Sequence, residues 1–154
     1  MSGFVATGSV GPSISSALTN DGFFPDFNLE SVRAALRLDG SITDARLMPA
    51  CVSAVIETNA DLAPLKEKYQ EFDQLELAPS DRINDESILI HLYRRAVYCN
   101  VGAELAERYR SYDATAAGNQ RADDLTPSID EYRRDARFAI RDLLKMVRVT
   151  VELI

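Results

Sequence analysis

The sequence predicts an all-α fold: a small helical bundle of about four helices, with an extended N-terminal arm and a C-terminal β-strand. Three observations carry that expectation. Between residues 28 and 146, apolar side chains recur at spacings of three, four and seven, the stripe an amphipathic helix buries. The first twenty residues have no charged side chain and no sustained period. The last eight, Val147 to Ile154, alternate with period two, as a strand does. The expected organisation is therefore an arm over 1–27, a bundle over 28–146 and a strand over 147–154. At 154 residues the chain is one domain by length and can bury a real core.

Composition narrows the class of function. A hydrophobic share of 46% and a charged share of 27% suit a globular body rather than a disordered chain. The net charge of −7 opposes unassisted binding to nucleic acid or anionic lipid, but lets DNA slide past an acidic wall. Cys51 and Cys99 lie among apolar neighbours and read as small buried hydrophobes, not as a disulfide framework. No apolar run reaches membrane-spanning length and no signal peptide is evident, so the expected setting is cytoplasmic.

The elements follow in order. The arm, with Phe4, Val5, Val10, Ile14 and Leu18 scattered along it, cannot alone offset its ordering entropy. Phe23-Phe24-Pro25-Asp26-Phe27 cannot be a helix interior and reads as an extended anchor, packed on the body or on a partner. Asn28 caps a helix over 29–38, with Val32, Leu36 and Ala35 facing inward and Asp39-Gly40 ending it. A second helix starts at Thr43 and runs to about Gln70, burying Leu47, Cys51, Val55, Leu62, Leu65 and Tyr69. Pro49 fits the first turn of that helix, and Pro64 marks a kink or break.

A polar connection, Glu71 to Arg82, leads to a third helix that Asn84 caps, with Asp85 and Glu86 in its first turn. It extends to about Tyr112. Its face of Ile88, Leu92, Ala96, Cys99, Ala103 and Ala106 narrows to small residues, which lets another helix approach closely. Asn100 beside that face needs a partner across the bundle or a subunit interface. After a loop over 113–124, Thr126-Pro127 opens the last helix, which runs to about Met146 through Ile129, Tyr132, Ala136, Ala139, Ile140 and Leu143. The strand that follows has no evident partner in its own chain.

Catalytic groups do not converge. His91 is the lone histidine and reads as structural, and Asp123-Asp124 reads as a solvated loop rather than a cation site. Cys-x-x-Cys, Walker, dinucleotide and His-Glu-x-x-His patterns are missing, so no enzyme, metal or cofactor is expected. One charged feature is regular: Arg133, Arg137, Arg141 and Lys145, spaced by four, make a basic stripe that Arg134 and Arg148 extend. It would pair with a neighbour's carboxylates, such as those near Glu86 or Glu104, or with local Asp130 and Asp142.

Several blocks together carry a resemblance. They are Phe23-Phe24-Pro25-Asp26; Ala45-Arg46-Leu47; Glu57-Thr58-Asn59-Ala60 with Leu62; Asp85-Glu86-Ser87-Ile88 with Tyr93, Arg95, Ala96 and Val97; Glu107-Arg108-Tyr109-Arg110 with Asp113-Ala114; and Ile129-Asp130-Glu131 with Arg134, Asp135 and Arg137. From about Phe23 to Ile154 the chain resembles the head completion (L-type) proteins of temperate phages with contractile tails. The resemblance implies a structural part of the virion neck, assembled in the host bacterial cytoplasm. Its implied partners are the portal protein, neighbouring copies in a ring (twelve expected), a tail terminator or neck protein, and packaged DNA that passes through without sequence-specific binding; a membrane is not among them. The partner-binding residues expected are Arg133, Arg137, Arg141, Lys145, Val147, Val149, Val151, Leu153, Phe23 and Phe24. The alternative is a small helical partner-binding or regulatory phage protein acting as a monomer or dimer.

Overall fold

The computed structural model describes residues 16–110 and 127–145. It is mostly helical, with two small two-stranded ribbons. In chain order come β1 (Ala17–Leu18), β2 (Phe27–Asn28), α1 (Leu29–Leu36), α2 (Asp44–Asp61), α3 (Ala63–Lys68), a 3-10 turn (Leu75–Leu77), β3 (Arg82–Ile83), β4 (Glu86–Ser87), α4 (Ile88–Arg110) and α5 (Ile129–Leu143). Both ribbons are antiparallel: Leu18 pairs with Phe27 and Ile83 with Glu86. The core lies where α1, α2 and the first half of α4 meet the aromatic segment, and α5 makes its main contact along α4.

The aromatic segment belongs to this core. Phe23, Phe24 and Phe27 are all buried, as is Leu18 ahead of them. Phe24 stacks on Tyr93 at a centroid distance of 4.6 Å, and Phe27 lies 5.9 Å from both Tyr93 and Tyr98. Polar groups fix the geometry of the turn. Asp21 Oδ1 accepts from the Phe23 and Phe24 amides at 3.1 and 3.0 Å, while Oδ2 meets Lys66 Nζ at 2.6 Å. Burial works against the charge on Asp21, but Lys66 and these amides outweigh it and hold the carboxyl below its usual range. The Leu75 amide donates to the Phe23 carbonyl at 2.9 Å and closes the segment from the other side.

A closed hydrogen-bond ring links this segment to two helices. Asn20 Nδ2 donates to the Tyr93 hydroxyl at 2.8 Å, which donates to Asn59 Oδ1 at 2.5 Å. Asn59 Nδ2 returns to Asn20 Oδ1 at 2.9 Å. Tyr93 is fully buried, so its hydroxyl would be costly without those partners. Burial pushes that phenol far above its ordinary range, and it acts as a neutral strut.

Several helix ends differ from the sequence expectation. Asn28 caps α1 as expected, its side chain accepting from the Glu30 amide at 2.8 Å. The helix stops at Leu36 rather than Leu38, because Arg37 turns left-handed (φ 53°) and the Leu38 amide reaches back to the Arg33 carbonyl. Ala35, expected inward, is exposed. Thr43 stands at the N-cap of α2 without a capping side-chain bond, and Pro49 lies inside the helix rather than in its first turn. Pro49 is exposed, so water can serve the Ala45 carbonyl that loses its donor. The break expected near Pro64 falls at Leu62 (φ −96°, ψ 10°): Pro64, in the first turn of α3, has no amide to give the Ala60 carbonyl, while Leu62 and Leu65 stay buried.

Asn84 and Asp85 do not start α4. Both have positive φ (53° and 60°) and form the two-residue turn of the β3–β4 hairpin, the type I′ geometry that Asn and Asp tolerate. Glu86 lies in β4, and α4 starts two residues later, at Ile88. Ser87, fully buried, takes the capping role: its Oγ accepts from the Leu89 amide at 3.2 Å. The last helix is capped by Ser128, not Thr126. Ser128 and Glu131 form a reciprocal capping box, and Pro127 precedes it. That helix ends at Leu143, short of Met146. The end of the third helix near Tyr112, the loop over 113–124 and the strand over 147–154 lie outside the described residues.

The narrow face of α4 does receive another helix. Ala96, Ala103, Ala136 and Ala139 are buried between α4 and α5. At Gly102 an added Cβ would sit 2.8 Å from the Tyr132 ring. Asn100 finds its partner across the bundle, donating to Thr58 Oγ1 on α2 at 3.0 Å. We expect Gly102→Val to lower stability by about 1–3 kcal/mol through overpacking, read as a lower urea midpoint at unchanged slope. In a Tyr132→Ala background most of that loss should vanish; an equal loss there would show that the ring is not what limits the approach.

Candidate assembly surfaces

Of the expected basic stripe, Arg133, Arg137 and Arg141 lie on α5, whereas Lys145 follows the end of that helix with φ 52° and Arg148 lies outside the described residues. Arg133 is engaged within the chain, its Nη2 2.5 Å from Glu107 Oε1 on α4. Arg134 pairs with its neighbour Asp135 at 3.0 Å. Arg137, Arg141 and Lys145 have no ion pair among the described residues. The amphipathic pattern of α5 turns Ala136, Ala139 and Leu143 to the core, which places the cations on its other sides.

The carboxylates expected to receive that stripe are already occupied in this chain. Glu86 Oε1 meets Arg94 at 2.5 Å and its Oε2 lies 3.3 Å from His91 Nδ1. Glu104 pairs with Arg108 at 2.6 Å, one helical turn along. A groove of about 490 Å³ runs between α2, α4 and α5 and sets Glu57, Asp61, Glu104 and Glu107 against Arg133 and Arg137. Exposed ion pairs of this kind contribute about 0–1 kcal/mol each, so the groove does little for stability. Its mixed charge marks it as a polar contact surface.

Phe23 and Phe24, expected among the partner-binding residues, are covered by the chain's own core. Of the two placements open to the anchor, body or partner, the body takes it, because Tyr93 offers a flat apolar face at the right height. Val147, Val149, Val151 and Leu153 lie outside the described residues. Sequence reasoning missed Val52 and Ile56, which α2 leaves 41% and 65% exposed. The signal was available: α2 carries apolar residues on the side opposite its core stripe as well as on it.

A second groove, about 990 Å³, lies where α1 and the turn after it meet α4. Leu36, Leu38 and Ile42 line it together with Tyr98 and Tyr132, and Arg94 and Arg95 stand at its edge. The reactive side chains are accounted for by structure. Cys51 is buried, and burial pushes its thiol up to about 11; burial also raises Cys99, which is half-buried. His91 donates from Nε2 to the Ile83 carbonyl at 3.0 Å and so holds the β3 strand to α4. Among the described residues no group of three or more His, Cys, Asp or Glu is placed to hold a metal ion, and no helix is long and apolar enough to cross a membrane. Asp123 and Asp124 lie outside those residues.

The chain is similar to the head completion/stabilization protein of Escherichia phage P2, at 41% identity over 125 residues, covering 80% of this chain and 74% of that protein. It is also similar to the probable head completion/stabilization protein of Haemophilus phage HP1 (strain HP1c1), at 27% identity over 139 residues, covering 89% of this chain and 91% of that one. No solved structure matches it. The sequence profile of the phage head completion protein (GPL) family matches residues 18–154, from the first core residue, Leu18, through the helical body, and the chain belongs to that family.

Proposed function

We propose that the chain completes DNA-filled heads by binding beneath the portal protein, in a ring for which twelve copies are expected. There it extends the DNA channel, holds the filled head shut and offers the tail, or its terminator, a platform. It is placed at the virion neck after assembly in the host cytoplasm. The observation that carries this reading is the 41% identity with a head completion/stabilization protein across most of the helical body. The mechanism is physical. Each single contact between copies is weak, and a ring repeats it, so that the ordering entropy of loose segments is offset by multivalency. A net charge of −7 on copies lining a channel keeps DNA from adhering.

Two experiments on filled heads that lack the protein test this reading. Purified protein should dock at one vertex and retain the packaged DNA, whereas a chain lacking Val149–Ile154 should fail to dock with its helical circular dichroism nearly intact. Normal docking of the shortened chain would remove the terminal strand, proposed to add to a sheet edge of a partner, from the account. Reversing Arg137 and Arg141 to Glu should weaken side-by-side assembly by about tenfold, less so at high salt. Assembly unchanged at every salt concentration would remove the stripe.

A further inference from the structure

The start of α1 carries one backbone hydrogen bond beyond the first ribbon. The Ser16 carbonyl accepts from the Leu29 amide at 2.7 Å, which continues the β1–β2 pairing into the first residue of the helix. The two strands are antiparallel, so a chain that precedes Ser16 sets out in the direction in which the chain after Asn28 enters α1. On that course α1 offers a track of small side chains. Ser31, Ala34 and Ala35 fall within an arc of about 100° on one side of the helix. All three are exposed and uncharged. A surface helix ordinarily turns charged or long polar residues to water, whereas small ones let another backbone approach closely.

The track ends at the groove of about 990 Å³ that Leu36, Leu38, Ile42, Tyr98 and Tyr132 line. Of the charged groups at its edge, Arg94 and Arg95 pair with Glu86 and Asp135 at 2.5 and 3.8 Å, and Asp39 accepts from the Ser41 amide at 2.9 Å. An occupant without charge leaves these partners in place, and a charged one has to compete with them. The first twenty residues of this chain carry no charge. In extended backbone, Val10, Pro12 and Ile14 share one side, with Gly11, Ser13 and Ser15 on the other. The eight residues of α1 span about 12 Å, which about four extended residues match at 3.3 Å each. Val10 therefore reaches past the end of α1, and Phe4 and Val5 reach farther.

We infer that the groove between α1 and α4 is a docking site for this chain's own N-terminal arm, residues 4–14. Ile14 and Pro12 lie over Ala34 and Ala35, and Val10, Val5 and Phe4 enter the apolar groove. Attachment at Ser16 holds the arm at about millimolar effective concentration, far above that of a neighbour's arm in dilute solution, so the free protein covers the groove by itself. The inference does not depend on the head-completion reading.

The test uses the full chain in dilute solution. In a Cys99→Ser background, mild oxidation of a Val10→Cys, Leu38→Cys protein should give a disulfide within one chain as the main product. It should form at least about tenfold faster than in a Val10→Cys, Val52→Cys protein, whose second cysteine stands on the exposed side of α2. Removing residues 1–15 should leave the helical circular dichroism intact and speed amide exchange over residues 35–42 by at least about fivefold. A peptide of residues 2–15 at about millimolar concentration should slow that exchange again. Disulfides that form at equal rates in the two proteins, or mainly between chains, overturn the inference. So does exchange that neither the deletion nor the peptide changes.

Discussion

Tyr93 sits where the N-terminal segment, α2 and α4 have to agree. Its ring supplies the flat surface on which Phe24 stacks and against which Phe27 tilts, and its hydroxyl completes the ring through Asn20 and Asn59. A fully buried hydroxyl with two side-chain partners favours a single arrangement, because any other leaves that hydroxyl without a partner. The aromatic segment, the 3-10 turn that closes over it and the start of the α4 core are all positioned from this point. Apolar burial alone would allow the segment to slide; the hydrogen bonds set its register.

With the core fixed in that way, the surface is left with contrasts that a lone globular protein has little use for. One helix is apolar on its outer side, another holds cations without an ion pair among the described residues, and a groove between them mixes both charges. Such features are weak individually, since exposed ion pairs contribute little and a handful of apolar side chains is a small area. In the proposed ring such contacts would be repeated and would add. Membership of the head completion family and the physical character of the surface thus point the same way.

Much of the fold was legible in the sequence. The stripe expected for one second helix is buried at Leu47, Cys51 and Val55 on α2, at Leu62 in the break and at Leu65 on α3, with Tyr69 only half-buried, and the small-residue face of α4 does admit α5. The misreadings share a physical cause. Asn84 and Asp85 are good helix caps and equally good left-handed turn residues, and the choice was made by β3–β4 pairing, supported by Arg82 on Glu76. Thr126 and Ser128 are both capping residues, and the Glu131 three positions after Ser128 decides between them. The Asn20–Tyr93–Asn59 ring joins residues 73 and 39 positions apart, and no local pattern announces it. On the surface, the cations of α5 were legible from their spacing, whereas the outer face of α2 was overlooked because a search for one stripe per helix stops at the first.

The hydroxyl of Tyr93 locks the N-terminal segment to the bundle. A thermodynamic double-mutant cycle of Asn20→Ala and Tyr93→Phe, followed by urea unfolding, measures that link directly. The expected coupling is about 1 kcal/mol or more between positions so distant in sequence. Losses that simply add, to within about 0.3 kcal/mol, would contradict it.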